Sequence, residues 1–510
     1  MSSKDYFRPR GDITTVLDQV DRDAQDNTYF PVDSEQSWFH RAHTQHTVYP
    51  TTMSIQEFTQ RGPADWGQTM SFELGSLPAG DLLQGIMLQM KVGSWYDPTV
   101  ITRLSNGTIT TDPSRFGSSY WTFGNGLGSS VISHADFIVN DQLLERITGE
   151  FIHTTLVLNS DLNSLFGIAT DGLGSIPHTH LNPSTVQQTM FSTNRPFPVE
   201  DGTYFCVLPF FFSRTKLKEV FPLLSCNEGN VRITITLRPF VDACRKYIGW
   251  RSNCTDTPLN QTVSFVANSN VVSVKTATQP PDFRDFRIVT TTSLVGGSLR
   301  ERFLRQPFEQ MVKLVQNFSF EEPLKYLVSK PNANTDTVEI QLPLELNHPV
   351  VELLWVFRRK AVRINNEWTN FTPSISLESS PTKVYPSWLR HGTLRINGLE
   401  VISAPGDWFR QDIAQKHNGG LTAYQSHVYG YSFASYPQEH QPSGSANMSR
   451  STSVTLNLTV NQPTAMDLTT LPSPCVFDQA AVGGWEIFVY AVHYNWLRFE
   501  NGICGRMFTN

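Results

Sequence analysis

The sequence has little cysteine and no long apolar run. Its six cysteines lie far apart, and none forms a Cys-x-x-Cys pair. This scatter favours buried thiols in a reducing compartment over a disulfide framework. The longest apolar stretch near the middle, Cys206 to Phe212, contains Pro209, and a membrane helix needs about 20 apolar residues. The N-terminal MSSKDYFRPRGD is polar, so we expect no signal peptide and no membrane span.

Charged residues are also scarce, at 17% of the chain, and the net charge is −6. A nucleic-acid coat would show a basic patch or arm, so we expect no direct nucleic-acid binding. In contrast, hydrophobic residues make up 39% and aromatic residues 12%, with 33 phenylalanines. This composition predicts large cores and extensive contact with neighbouring molecules.

No pattern of catalytic, metal-binding or cofactor-binding residues is evident. His40, His43 and His46 are spaced by three, and on a strand the middle one faces away from the other two. The glycine-rich GNGLGSS at 124–130 lacks the lysine of a phosphate loop. Carboxylates are scattered, without a Ser/His/Asp order. We therefore predict no enzyme, with no catalytic residue, metal or cofactor.

Alternating apolar and polar residues predict strands along most of the chain. The clearest examples are VRITITL (231–237), VEIQLPLEL (338–346) and SVTLNLTV (453–460). Asn397-Gly398 in TLRINGLEV predicts a type I′ hairpin turn. Helical spacing is rare. The best candidate is Leu299 to Gln316, which Pro307 interrupts.

Three blocks occur twice in the same order. Asn140-Asp141 and Gly149-Glu150 match Asn397-Gly398 and Gly406-Asp407 with one offset of 257 residues (397 − 140 and 406 − 149). Upstream, FELGSLPAGDLLQGIMLQM resembles IQLPLELNHPVVELLWVF. Downstream, FCVLPFFFS and VRITITL correspond to VYGYSFAS and SVTLNLTV. Two copies of one all-β unit with different loop insertions explain this order.

Each copy spans some 200 residues, a length that suits an eight-stranded jelly roll. We therefore predict an all-β fold of two consecutive eight-stranded jelly rolls, with long loop insertions and a few short helices. The predicted organisation is an N-terminal arm (1–27), a first jelly roll (28–296, with an insertion at about 246–281) and a second jelly roll (297–510).

Seven blocks in order resemble the major capsid proteins of nucleocytoplasmic large DNA viruses. The blocks are SWFHRAHTQHTVY (37–49), FELGSLPAGDLLQGIMLQM (72–90), HADFIVNDQLLERITGEFI (134–152), VLPFFFSR (207–214), LNHPVVELLWVFR (346–358), PSGSANMSR (442–450) and FVYAVHYNWLRFENGICG (488–505). The first block keeps His43 and Thr47 but lacks the double arginine that is usual in the family. The resemblance extends over about residues 37–509.

This resemblance implies a double jelly roll and a homotrimer. Six barrels around a threefold axis would give a pseudo-hexagonal capsomer that tiles an icosahedral shell. The implied location is the virion capsid, assembled in the host cytoplasm or a viral factory. The implied partners are neighbouring capsomers, minor capsid proteins, a penton protein and an internal membrane on the inner face, where the N-terminal arm would lie.

The PSGSANMSR block is predicted to be a fold clamp that sets the entry and register of the following strand. Proline fixes φ and glycine permits φ above zero, while Asn and Ser bond nearby backbone groups and arginine offers a five-donor fork. The clamp residues are Pro442, Ser443, Gly444, Asn447, Ser449 and Arg450. In the insertion, Asn253 and Asn260 are candidate glycosylation sites.

Two alternative functions stay open at this point. A transient scaffolding protein of the same fold would shape an immature virion membrane and be depleted from mature particles. A jelly-roll carbohydrate-binding protein or enzyme is a third hypothesis, because this fold hosts both activities. The absence of a convincing carboxylate pair in the sequence speaks against the enzyme.

Overall fold

The structure is a computed structural model, and residues 50–510 form one compact unit. The described residues are 51–57, 64–74, 80–93, 120–123, 127–159, 202–214, 220–243, 245–248, 262–267, 270–275, 279–328, 337–360, 362, 368–373, 387–417, 427–439, 441–461 and 484–508. The predicted arm, the first resembling block with its histidines, and the candidate glycosylation sites Asn253 and Asn260 lie outside these residues.

Strands dominate the described chain. The first half contains β1 (Thr51–Glu57), β2 (Thr69–Glu73), β3 (Leu82–Val92), β4 (Tyr120–Phe123), β5 (Ile132–Val139), β6 (Gln142–Thr148), β7 (Gly202–Val207), β8 (Val231–Leu237), β9 (Arg245–Ile248), β10 (Thr262–Ala267), β11 (Asn270–Lys275) and β12 (Phe283–Ser293). The second half contains β13 (Phe308–Phe320), β14 (Thr337–Pro343), β15 (Pro349–Arg359), β16 (Leu389–Ile396), β17 (Leu399–Pro405), β18 (Tyr429–Ser432), β19 (Ala446–Asn447), β20 (Val454–Asn461), β21 (Trp485–Glu500) and β22 (Ile503–Arg506).

Helices in the described ranges are few and short. They are α1 (Leu127–Ser130), α2 (Gly149–Asn159), α3 (Phe240–Ala243), α4 (Gly297–Arg305) and α5 (Gly406–Lys416), with 3₁₀ turns at Leu223–Cys226, Pro323–Tyr326 and Met448–Arg450. Within the described ranges, none of these helices has the length and apolar character that a bilayer span requires.

The two halves have the same strand order. The first half forms the four-stranded sheets β1-β12-β3-β7 and β2-β8-β5-β6. The second forms the four-stranded sheet β14-β20-β16-β17 and a six-stranded sheet with the order β13-β21-β15-β18, in which β19 also pairs with β15 and β22 with β21. If the eight principal strands of each half are counted from one to eight, both halves read 1-8-3-6 and 2-7-4-5. This is the order of an eight-stranded jelly roll, in which the chain passes repeatedly between two antiparallel sheets. The predicted pair of jelly rolls is confirmed.

The repeated sequence blocks occupy equivalent places in the two jelly rolls. Asn140 and Asp141 join β5 to β6, and Asn397 and Gly398 join β16 to β17; all four residues have positive φ. This is the backbone that a type I′ turn requires. Each hairpin is followed by an 11-residue helix, α2 or α5.

Two large apolar clusters fill the molecule. One lies inside the second jelly roll and includes Trp355, Leu456 and Trp485. The other fills the first jelly roll and also contains Leu354 and Val356 from β15 of the second. The first core therefore continues across the junction between the two jelly rolls, because β15 contributes side chains to both clusters.

The structure corrects two details of the sequence-based prediction. The helix predicted over 299–316 is α4, which ends at Arg305, and Phe308 begins the long strand β13. Pairing of β13 with β21 along its whole length overrides the helical spacing of its apolar residues. The strand predicted over 338–346 ends at Pro343, although the N–H of Leu344 still donates to the carbonyl oxygen of Val454 at 2.9 Å. In the predicted insertion, β10 and β11 form a separate hairpin.

The predicted domain boundary near residue 297 falls between β12 and β13, at the first residue of α4. The boundary itself stays a prediction. The described cysteines, Cys206, Cys226 and Cys504, are buried free thiols, as the sequence predicted.

The glycine that begins each repeated helix is required by close backbone contact. A Cβ at Gly149 would lie 2.4 Å from the carbonyl oxygen of Ile132, and a Cβ at Gly406 would lie 1.9 Å from that of Leu389. Ile132 and Leu389 each begin the fourth principal strand of their jelly roll. Only glycine lets the helix begin this close to the strand.

We expect Gly406→Ala to lower the free energy of unfolding by at least about 2 kcal/mol, because the backbone carbonyl of Leu389 cannot yield as a side chain could. Gly297→Ala is the matched control, since it also begins a helix but no atom lies within 4 Å of its added Cβ. Urea unfolding of both variants measures the difference. Equal stability of the two would contradict the close-contact explanation.

Candidate functional site

The junction between the two jelly rolls is built on helix α2. Every residue from Gly149 to Leu158 is buried, although a helix on the outside of a barrel would expose one face. The Phe151 ring lies 5.0 Å from that of Tyr490, and the His153 ring lies 5.7 Å from that of Phe371. The second jelly roll therefore covers the face of α2 that points away from its own barrel.

A buried cluster of four charged residues crosses this junction. Glu150 of α2 binds Nη2 of Arg238 at 2.6 Å and Nη1 of Arg358 at 2.7 Å. Arg358, from β15, also binds Glu486 of β21 at 2.7 Å. Both guanidinium groups lie over the Trp368 ring, 4.3 and 4.6 Å from its centroid. Two cations and two carboxylates balance their charges in an environment that excludes water.

Burial alone would raise the pKa of Glu150, but Arg238 and Arg358 outweigh it and lower the pKa to about 2. The same surroundings raise the pKa of Arg358: burial opposes its charge, and Glu150 and Glu486 more than compensate. Because the folded pKa of Glu150 lies below its unfolded value of about 4.3, its stabilising effect is present above that value. The effect is lost as the pH falls through about 2.

Polar contacts flank the charged cluster along the junction. In β6, Glu145 accepts from the backbone N–H of Phe211 at 2.8 Å and pairs with Arg214, which donates to the carbonyl oxygen of Lys313 in β13 at 3.2 Å. At the far end of α2, Asn159 lies 2.8 Å from Nδ1 of His417. The junction thus joins β6 and α2 of one barrel to β13, β15 and His417, the residue after α5, of the other.

The predicted clamp residues lie together between β18 and β20. The Ser443 hydroxyl accepts from the backbone N–H of Tyr436 at 2.9 Å. A Cβ at Gly444 would lie 2.4 Å from the carbonyl oxygen of Phe433. Asn447 Oδ1 accepts from the backbone N–H of Ser449 at 3.2 Å. These bonds fold the segment back on itself, as turn-forming side chains do.

The clamp segment is attached to the start of β15. Ser449 Oγ accepts from the backbone N–H of His348 at 2.8 Å, and the N–H of Met448 donates to the His348 carbonyl at 3.0 Å. Strand β19 pairs with Pro349 and Val350. The His348 ring stacks on His493 with centroids 4.8 Å apart. The segment therefore joins β15 to β20 before β20 enters its own sheet.

Pro442 and Arg450 are exposed. Among the described residues, the Arg450 side chain makes no hydrogen bond or ion pair. The contacts that attach the segment come from the backbone, from the Ser449 hydroxyl and from buried Met448. Among the described residues, no group of His, Cys, Asp and Glu converges as a metal site would require.

The face equivalent to the covered side of α2 is open in the second jelly roll. Only five residues of α5 are buried: Gly406, Phe409, Arg410, Ile413 and Ala414. The side chain of Asp407 is 63% exposed. Beside it, Trp408 and the edge-strand residues Leu399 and Val401 are also exposed. We call α5 and β17 together the open face.

In the sequence, Glu150 and Asp407 stand out only as parts of a repeat, and the ion pairs of Glu150 were not predicted. The signal was present: Arg358 ends the apolar run VVELLWVF, and a charge at the end of such a strand needs a buried partner.

We expect Arg358→Met to lower the free energy of unfolding by about 3–5 kcal/mol, since it leaves Glu150 and Glu486 buried without their shared cation. Arg395→Met is the control: Arg395 also lies in a strand, but its pair with Glu400 is exposed, with N and O 3.9 Å apart, and such pairs contribute little. Thermal and urea unfolding compare the variants. Equal losses would mean that the buried cluster does not hold the junction.

We expect Ser449→Ala to destabilise the protein by about 1 kcal/mol, because the backbone N–H of His348 loses its acceptor. Arg450→Ala should change the free energy of unfolding by less than about 0.5 kcal/mol, as for other exposed side chains. The melting temperatures of the two variants show which side chain stabilises the clamp segment. A larger loss for Arg450→Ala would show that the clamp depends on the guanidinium group.

Comparison with known proteins agrees with this architecture. Residues 300–505 match the family model described as large eukaryotic DNA virus major capsid protein. The major capsid protein of Phaeocystis pouchetii virus is 34% identical over 118 residues, which are 23% of this chain and 20% of that protein. That of Rana tigrina ranavirus is 24% identical over 313 residues, 58% of this chain and 60% of the relative. The matched segments thus span less than two thirds of these relatives' lengths.

Solved structures share the fold over nearly the whole chain. VP54 of PBCV-1 superimposes with a TM-score of 0.62 at 18% identity, covering 93% of this chain and 100% of VP54. The Faustovirus major capsid protein gives a TM-score of 0.61 at 11% identity, covering 94% of both chains. These are double jelly-roll capsid proteins. With the repeated strand order, they show that this chain has the same fold, and the match of residues 300–505 to the family model shows that its second half is similar to the structural major capsid proteins of large eukaryotic DNA viruses.

Proposed function

We propose that this protein is the main structural subunit of an icosahedral double-stranded DNA virus capsid, and that three copies form each capsomer. The homotrimer is supported by the difference in burial between the two equivalent helices, α2 and α5. Within one chain, the second jelly roll buries α2, whereas α5 keeps an exposed face with Asp407 and Trp408. Exposed large apolar side chains such as Trp408, Leu399 and Val401 favour contact with another molecule.

A ring of three copies would cover every such face. Each chain has one covered junction and one open face, so a neighbouring copy can cover the open face in the manner of the internal junction. Such a head-to-tail contact forms a closed ring when its rotation closes. Three chains then contribute six barrels of one topology, which gives a nearly hexagonal outline. Hexagonal units tile a surface, and pentameric vertices from another protein let it close.

The expected location of the protein is the virion capsid, where it would contact other capsid proteins. Neighbouring capsomers, minor capsid proteins and a penton protein would surround each trimer in the virion capsid. The arm, residues 1–27, would lie on the inner side beside minor capsid proteins or an internal membrane. Assembly would take place in the host cytoplasm or a viral factory. The low proportion of charged residues, 17%, supports extensive protein contacts over contact with nucleic acid.

We expect the purified protein to form a stable trimer of about 173 kDa, three times the 57.6 kDa of one chain. Mass photometry over a dilution series measures it, and a chain without residues 1–27 should give a trimer as well. A monomer or dimer at all concentrations would falsify the proposed trimer. Depletion of the protein from mature particles would favour the transient scaffold of the same fold.

A further inference from the structure

We infer that neighbouring copies meet through an ionic contact between Asp407 of one copy and Lys91 of the next, beside Asp285. This contact would be the intermolecular counterpart of the buried Glu150, Arg358 and Glu486 cluster. The inference rests on the proposed homotrimer and adds the surface and the residues that would close it.

Lys91 and Arg358 occupy equivalent positions. They lie in β3 and β15, the third principal strands of the two jelly rolls, and each follows a core residue, Met90 or Phe357. Lys91 and Arg358 are 267 positions apart (358 − 91), and so are Met90 and Phe357 (357 − 90). Each cation faces outward from its sheet, away from the core of its own barrel.

The neighbouring carboxylates are equivalent as well. In the ladder of β3 and β12, Lys91 lies opposite Asp285, just as Arg358 lies opposite Glu486 in the ladder of β15 and β21. The residues before each cation also correspond, because Met90 lies opposite Phe286 and Phe357 lies opposite Ile487. At this position, the outer face of the first sheet therefore carries a cation beside a carboxylate, as the outer face of the second sheet does.

Asp407 is the counterpart of Glu150. Each is the second residue of the helix that follows the fourth-to-fifth strand hairpin, and each comes after a glycine pressed against a strand carbonyl. Within the chain, this position brings the Glu150 carboxylate to 2.7 Å from Arg358. Within the chain, α2 lies on the β15–β21 sheet. If the open face of one copy lies in the same way on the β3–β12 sheet of the next, the Asp407 carboxylate lies beside Lys91.

Burial supports this correspondence. In β15, every residue after Pro349 is buried, because the barrel core covers one face and α2 covers the other. In β3, buried residues alternate with half-buried ones, and the half-buried set includes Met87, Gln89 and Lys91 on the outer face. The surface that would receive a neighbour's α5 is thus partly open in a single chain, as is α5 itself.

Apolar residues around the charges match in the same way. Phe151 packs on Tyr490 within the chain, and the residue equivalent to Phe151 is the exposed Trp408. The register places Tyr490 opposite Leu354 and places Val289 opposite Met87. Trp408 of one copy would therefore pack on Met87 and Val289 of the next, beside the ionic contact.

The intermolecular contact would be weaker and more sensitive to salt than the internal one. A lysine replaces Arg358, so the two-pronged guanidinium contact is lost. Asp285 already pairs with Arg287 and accepts from Gln89 at 3.3 Å, and Asp407 pairs with Arg410 at 3.2 Å. These local pairs keep both surfaces soluble before assembly, and exposed charges are screened by salt.

Charge reversal tests the contact. Asp407→Lys and Lys91→Glu should each raise the protein concentration at which half the trimers dissociate by about 10-fold or more, because like charges would meet. The double variant should return within about 3-fold of the unmodified protein. Glu322→Lys and Lys325→Glu are matched controls on an exposed pair outside α5, β17, β3 and β12, and should leave the trimer unchanged. Mass photometry at low and high salt gives these midpoints.

Each outcome decides a different point. If the unmodified protein forms trimers and either single reversal leaves the midpoint unchanged, or the double variant is not restored, the ionic contact is wrong while the proposed function stands. If the unmodified protein never forms trimers, the proposed function fails and the inference with it. Should a reversal prevent folding, Asp407→Asn and Lys91→Gln replace it. Their effects must then be less than additive in the double variant, as for residues in contact.

Discussion

The carboxylate of Glu150 is the constraint on which the arrangement of the two jelly rolls depends. Glu150 is buried at the junction, and a buried carboxylate without partners would be strongly unfavourable. Arg238 comes from its own barrel and Arg358 from the other, so the charge is satisfied only when the two barrels lie together. Hydrophobic contact supplies most of the free energy of such a junction, but it is not directional. The fixed geometry of the ion pairs defines one orientation.

The fold was largely predictable because its signals are local. The period-two pattern of VRITITL needs no knowledge of its partners, and Asn397-Gly398 requires positive φ wherever it is placed. The internal repeat predicted the topology, which single strands could not do. Two copies of the same blocks in the same order imply two domains with the same strand order. Where a local signal conflicted with pairing, pairing decided: Phe308 to Gln316 has helical spacing, yet β21 makes it a strand.

The junction was not predictable to the same extent, because its residues lie far apart in the chain. Glu150 and Arg358 are 208 positions apart, and no periodicity links them. The clamp shows the same limit on a smaller scale. The sequence indicates that Ser449 and Arg450 can both bond to backbone groups, but only the position of His348 shows that Ser449 does so while Arg450 is exposed.

The internal contact uses a buried arginine and the proposed contact between copies uses a half-buried lysine, and this difference suits the role of each contact. The internal junction forms once, during folding, and a buried Arg358 with two carboxylates suits a contact that does not open. A shell assembled from many subunits needs contacts that can separate when a subunit joins in the wrong place. Lys91 on a half-exposed surface, together with Asp285 and Asp407 that already pair within their own chains, provides such a contact, because the charges exchange partners at little cost. The same geometry, used twice with different residues, would thus hold one chain together permanently and join neighbouring chains reversibly.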